Sequence, residues 1–137
     1  MTRCERETAA HFAERYRAAP DEVSRRVERA VIGGDWGANG YTTLAQARLL
    51  GRELALQPGA RLLDLGAGRG WPGLYLAKAT GCQAVLADVP VEGLLAAAAR
   101  AQRENLAARA AAVAGSARAL PFAPVTFDAI VHTDVLC

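Results

Sequence analysis

Leu62-Leu63-Asp64-Leu65-Gly66-Ala67-Gly68-Arg69-Gly70 decides the fold. A short apolar run, Arg61 to Leu65, delivers the chain into a glycine-rich turn, and Pro72 to Thr80 follows as a helix with Gly81 as its C-terminal cap. Glycine at such a turn lets bare main chain approach a ligand where a side chain would block it. A dinucleotide-binding loop competes for the same residues, since Gly68, Gly70 and Gly73 satisfy G-x-G-x-x-G. That fingerprint should open at the strand end, and counting from Gly66 puts Trp71 in place of the third glycine, so the register is wrong. A phosphate-binding Walker loop is excluded because no Lys-Ser or Lys-Thr follows. Asp64 lies inside the apolar strand, where a carboxylate is costly unless paired. Either a cationic ligand amine at the strand end pairs with it, or it caps the amides of its own loop.

Outward from this segment the chain alternates strands and helices. Gln83 to Ala87 reads as a second strand, Val91 to Ala107 as an Ala-rich helix, Ala111 to Ala114 as a weak third strand and Phe127 to His132 as a fourth, after a loop from Gly115 to Thr126. This succession predicts an α/β domain with a parallel sheet and right-handed crossovers. Ahead of it come a helix from Glu5 to Ala19, in which Phe12 and Tyr16 share a face, and a second from an Asp21 cap to Ile32. A Gly-rich loop over residues 33–40 and a third helix from Thr43 to Leu56, with Leu44, Leu50 and Leu54 facing the core, complete this part. The expected division is a helical cap and lid loop over residues 1–56 and a ligand-binding half-domain over 57–137, within one structural domain.

The motifs resemble those of class I S-adenosylmethionine-dependent methyltransferases. Leu62 to Gly70 is similar to their first motif, D-x-G-x-G-x-G after an apolar run, entered through Leu56-Gln57-Pro58-Gly59. Ala84 to Val89 resembles their second strand, whose terminal acid falls here at Asp88, 24 residues after Asp64. Gly115-Ser116-Ala117, Leu120-Pro121-Phe122 and Phe127-Asp128-Ala129-Ile130 are similar to the later stretch that flanks adenine and forms the fourth strand.

The resemblance implies S-adenosyl-L-methionine as cofactor and a Rossmann-like sheet, of which this chain supplies strands one to four of seven. It implies that Gly66, Ala67 and Gly68 pack main chain against the methionine portion and that Asp64 helps hold the ammonium. Asp88 accepts both ribose hydroxyls, or else caps the helix that follows Pro90, and Val89 lies on the adenine face. Ser116 stands where many members carry an aspartate, so it holds the adenine amino group more weakly or leaves that to the Ala117 backbone. Thr133 matches a position that touches the cofactor. The segment from Trp36 to Tyr41 is either a lid placing Tyr41 at the cofactor, with Gly37 and Gly40 as hinges, or a surface connector with one buried tryptophan. Trp71 is read as packing on the helix start and Asp128 as structural.

Methyl transfer is an in-line displacement, so alignment and water exclusion matter more than any side chain. His132 is the candidate general base, against a structural, hydrogen-bonded histidine, and His11 is read as solvated. The leading function is methyl transfer to a small-molecule acceptor. A truncated module that holds S-adenosylmethionine without turnover is the second, and a nicotinamide-dependent oxidoreductase is disfavoured by the glycine register.

Bulk properties narrow the setting. The 137 residues are 52% hydrophobic and 22% charged, with a net charge of +2 and scattered basic residues, so nothing points to nucleic acid or an anionic membrane. Cys4, Cys82 and Cys137 have no metal-ligand spacing and read as reduced thiols of a cytoplasmic protein, with no signal peptide and no membrane span. A fourth strand at the end of the chain would be an exposed apolar edge. It implies either a fragment or cover by another chain, with self-association through that strand as one form.

Overall fold

The computed structural model describes residues 2–135. Three helices, α1 (Arg3–Arg17), α2 (Glu22–Val31) and α3 (Leu44–Glu53), precede β1 (Arg61–Leu65), α4 (Gly73–Thr80), β2 (Gln83–Asp88), α5 (Val91–Arg103), β3 (Ala110–Ala114) and β4 (Ala129–Val131). The sheet is parallel throughout, in the order β3-β2-β1-β4. This is the expected Rossmann-like α/β arrangement, and β1, between β2 and β4, carries the glycine turn at its C-terminal end. Cys137 lies outside the described residues, and Cys4 and Cys82 are free thiols.

The core forms where Leu62, Ala84, Leu86, Ala129 and Val131 of the sheet meet Leu74, Leu76 and Ala77 of α4 and Leu94, Ala97 and Ala101 of α5. A second cluster joins Ile32, Ala47 and Trp71, with Trp36 and Leu44 packed against it. Leu44 thus serves this smaller cluster, whereas Leu50 and Leu54 pack on the main core.

The helix ends follow local chemistry. α1 starts at Arg3 instead of Glu5 because Thr2 and Glu5 form a reciprocal capping box, and it stops at Arg17, with Ala18 already extended ahead of Pro20. α5 stops at Arg103, short of Ala107, because Asn105 takes φ +58 and Leu106 N–H reaches back 2.7 Å to the Ala101 carbonyl. α3 ends before Leu56, where Ala55 takes φ +49. Pro72 is the N-cap of α4 and has no side chain to offer it. The cap comes from β1: Asp64 Oδ2 accepts the Gly73 N–H at 2.8 Å.

β4 is three residues long, not six. Phe127 packs edge-to-face on Phe122 at 4.9 Å, and Asp128 accepts the Arg61 N–H at 2.7 Å, at the far end of the sheet from the glycine turn. Ile130 is 55% exposed on this edge strand.

Gly73 is the tightest point of the β1–α4 junction, since a Cβ there would lie 2.6 Å from both Asp64 Oδ2 and Leu86 Cδ2. Gly73→Ala should therefore lower stability by about 1–3 kcal/mol in urea unfolding, the usual cost of overpacking a core. An unchanged midpoint would show that α4 can draw back from β1 freely.

Candidate functional site

A cleft of about 540 Å³ opens at the C-terminal ends of β1, β2 and β4, where the sheet order reverses and open parallel sheets bind ligands. Its floor is the glycine turn. Gly66 and Gly68 take φ +75 and +51, which glycine alone adopts without strain. The N–H groups of Gly66 and Ala67 both point to the Ala87 carbonyl, at 2.8 and 3.2 Å, so the turn lies against the end of β2.

Asp88 closes the floor. Its Oδ2 accepts the Gly68 N–H and its Oδ1 the Val89 N–H, each at 2.7 Å. The side chain therefore holds the glycine turn and caps no amide of α5. Burial raises its pKa, while these two amides pull it down. Each carboxylate oxygen can accept more than one hydrogen bond, so both keep capacity for a donor in the cleft.

Of the residues proposed from sequence, Gly66, Ala67, Gly68, Asp88, Val89, Thr133 and Tyr41 border the cleft, Tyr41 with 82% of its surface exposed. Asp64 does not. It is 1% exposed, turned towards α4, and accepts the Gly73 N–H, which is the capping role that the sequence offered as the alternative to a ligand amine. Ser116 and Ala117 also lie off the cleft wall: the Ser116 hydroxyl accepts the Arg118 N–H at 3.2 Å and stands 3.5 Å from a Glu5 carboxylate oxygen. His132 is exposed and outside the wall, because β4 turns Val131 into the core and Thr133 to the cleft.

The remaining walls come from the N-terminal segment. Phe12 and Tyr16 stack at 6.0 Å on the cleft side of α1, and a Cβ on Gly68 would stand 2.7 Å from the Tyr16 hydroxyl. The spacing of this pair was visible in the sequence, but the surface it faces was not. Residues 37–41 form the opposite wall. They are held by Trp36, stacked on Trp71 at 4.0 Å, and by Glu28, whose Oε1 accepts the N–H groups of Trp36 and Ala38 at 2.7 and 3.1 Å. Trp71 donates to the Thr42 carbonyl at 2.9 Å, and Asp134 accepts the Thr42 hydroxyl at 2.8 Å. The loop thus borders the cleft and rests on two stacked tryptophans instead of one.

The family model for the methyltransferase domain matches residues 62–137, more than half of the sequence. The chain belongs to the methyltransferase domain family. Similar solved structures include an S-adenosylmethionine-dependent methyltransferase from Thiobacillus denitrificans in complex with S-adenosyl-L-homocysteine. It is 22% identical, with TM-score 0.63 over 85% of this chain and 45% of that one. A second such complex, from Geobacter sulfurreducens, is 32% identical with TM-score 0.50 over 55% and 30%. The [4+2]-cyclase SpnF is 28% identical with TM-score 0.57 over 77% and 43%. The chain thus spans less than half the length of each of these structures. No curated protein matches it in sequence. The resemblance to class I methyltransferases read from Leu62 to Gly70 agrees with this membership. Among the described residues no helix is long and apolar enough to cross a membrane.

The methyltransferase fold keeps Asp64 under strain of a chemical kind. Burial raises its pKa to about 7, the Gly73 amide opposes the shift, and the charge of Asp88 adds to it. The folded chain therefore retains a proton that the unfolded chain releases near 3.8. This contribution to stability should be full below that value, fall as pH rises towards about 7, and level off above it, by up to about 1.4 kcal/mol per pH unit for one proton. Asp88, shifted the same way, adds to the slope. Asp64→Asn should flatten most of this decline in urea unfolding between pH 4 and 8, and a slope equal to wild type would remove Asp64 as its source.

Proposed function

We propose that the chain is the cofactor-binding portion of an S-adenosyl-L-methionine-dependent methyltransferase acting on a small-molecule acceptor. The observation that carries this reading is the shared cleft of Asp88 and the bare main chain of Gly66 to Gly68. A carboxylate at the end of β2 suits a vicinal diol, because its two oxygens accept from two hydroxyls at once. The glycine turn suits the amino-acid arm of the ligand, since Gly66 and Gly68 border the cleft with main chain that carries no side chain of its own. Val89 borders the same wall as Asp88 and would lie on the base.

The ligand supplies an activated methyl on a sulfonium, and the residues of this chain bind, orient and exclude water. Thr133 and Tyr41 border the same cleft and would contact the cofactor from its other sides. The free thiols of Cys4 and Cys82 fit a reducing, cytoplasmic setting. The second reading is binding without methyl transfer. Its one support is the likeness to SpnF, named for a cyclisation, since methyl transfer by alignment needs no catalytic base.

Calorimetry with S-adenosyl-L-homocysteine should show binding, and NAD should show none. Asp88→Ala should weaken binding by about 1–3 kcal/mol, the cost of leaving hydrogen-bonding groups unpaired. Equal affinity in the variant would remove Asp88 from the site, and preference for NAD would overturn the reading. Release of S-adenosylhomocysteine in the presence of acceptor candidates separates turnover from binding alone.

A further inference from the structure

α1 ends at Arg17, with Ala18 extended, so the carbonyls of its last turn have no helical amides to accept from. A side chain from the glycine turn fills that gap. Arg69 Nη2 donates to the carbonyls of Arg15, Tyr16 and Ala18 at 3.1, 3.2 and 2.6 Å. Its guanidinium carbon stands 5.5 Å from the centre of the Tyr16 ring, a cation–π arrangement. The same side chain runs beneath the other wall: a Cβ on Gly37 would lie 3.1 Å from Arg69 Cδ. One arginine therefore touches the floor and both covering walls of the cleft.

The ion pairs that also fasten α1 are weaker in kind. Arg17 pairs with Glu92, and Glu5 with Arg118 at 3.4 Å, but both arginines are largely exposed, where ion pairs contribute little. Arg69 is half-buried, and its charge meets the negative end of the helix dipole. What it holds in place matters for the ligand. The Tyr16 hydroxyl bears on Gly68, and the Tyr16 ring bears on Gly93, where a Cβ would stand 3.0 Å from Cδ2.

We infer that Arg69 is a positioning residue that latches α1 over the cleft and couples closure of that wall to occupation of the glycine turn. The inference rests on the cofactor reading above. Coupling of this kind is reciprocal: if a held α1 strengthens ligand binding, bound ligand must tighten α1 by the same factor. A purely structural arginine would stabilise α1 without answering to the ligand.

The test uses the whole 137-residue chain as wild type, Arg69→Ala, Arg69→Lys and Arg17→Ala, with hydrogen exchange and calorimetry against S-adenosyl-L-homocysteine. In wild type the ligand should slow exchange of the α1 amides. In Arg69→Ala those amides should exchange at least about tenfold faster, gain no protection from ligand, and accompany an affinity loss of about tenfold, while β1 and β2 exchange as in wild type. Arg69→Lys keeps the charge without the planar fork and should lose a few-fold in affinity, and Arg17→Ala should stay near wild type. Loosened α1 with wild-type affinity and wild-type protection by ligand would overturn the coupling. If Arg69→Ala fails to fold, full affinity and protection in Arg69→Lys overturn it instead. A wild type that binds no S-adenosyl-L-homocysteine would sink the cofactor reading and the coupling with it, whereas binding that ignores Arg69 would sink the latch alone.

Discussion

The contact between the Asp64 carboxylate and the Gly73 amide sets the geometry of everything above the sheet. It joins the middle of the central strand to the first turn of the helix that follows the glycines. Pro72 supplies no cap of its own, so without Asp64 the start of α4 would carry an orphan donor in the core. With it, the chain between Leu65 and Gly73 is stapled at both ends: Gly66 and Ala67 to the Ala87 carbonyl, Gly73 to Asp64. An arch fixed at both feet keeps its main chain bare and its shape set. A buried carboxylate is an expensive way to make that joint, as its raised pKa shows. The amide dipoles at the helix start offset part of the cost.

The two aspartates of the turn divide one task. Asp64 grips the arch from inside the core and Asp88 grips it from the cleft, through Gly68 and Val89. The charge of Asp88 raises the cost of ionising Asp64, adding to the effect of burial. A ligand that donates hydrogen bonds to Asp88 would favour its ionised form, so the outer acid is the one whose charge a ligand can use. The inner acid is committed to the fold.

Much of this was legible in the sequence, and the failures have physical causes. The strands were readable because short apolar runs alternate with helices of ordinary length, and the glycine register separated this turn from a dinucleotide fingerprint. The direction of Asp64 was not readable. β1 is central, apolar residues flank Asp64 on both sides, and alternation cannot then tell the helix-covered face from the other. Leu62 and Asp64 in fact share the face that meets α4, which sends the carboxylate to Gly73 instead of the cleft. Ser116 was placed by resemblance and His132 by its position at a strand end, and each sits one or two residues from where the chain leaves a strand. A shift of one residue there moves a side chain from the cleft to solvent. Glu28 gave no signal, because a glutamate on a helix usually faces water; its two loop amides come from residues 8 and 10 positions later.

The cleft also divides along the chain into a floor and walls of different origin. The family match begins at Leu62, and the floor of the cleft lies within it. Phe12, Tyr16 and the loop from Gly37 to Tyr41 lie outside it, yet they form the walls. A floor shaped by the needs of one common ligand has little freedom, since its glycines, Asp64 and Asp88 constrain one another within a few ångströms. Walls carried by separate helices and a loop can change without disturbing the β1–α4 joint, because they meet it through side chains: Arg69 on α1, and Trp71 on Trp36. The walls can therefore vary independently of the floor, and Arg69 and Trp71 are the points at which they rest on it.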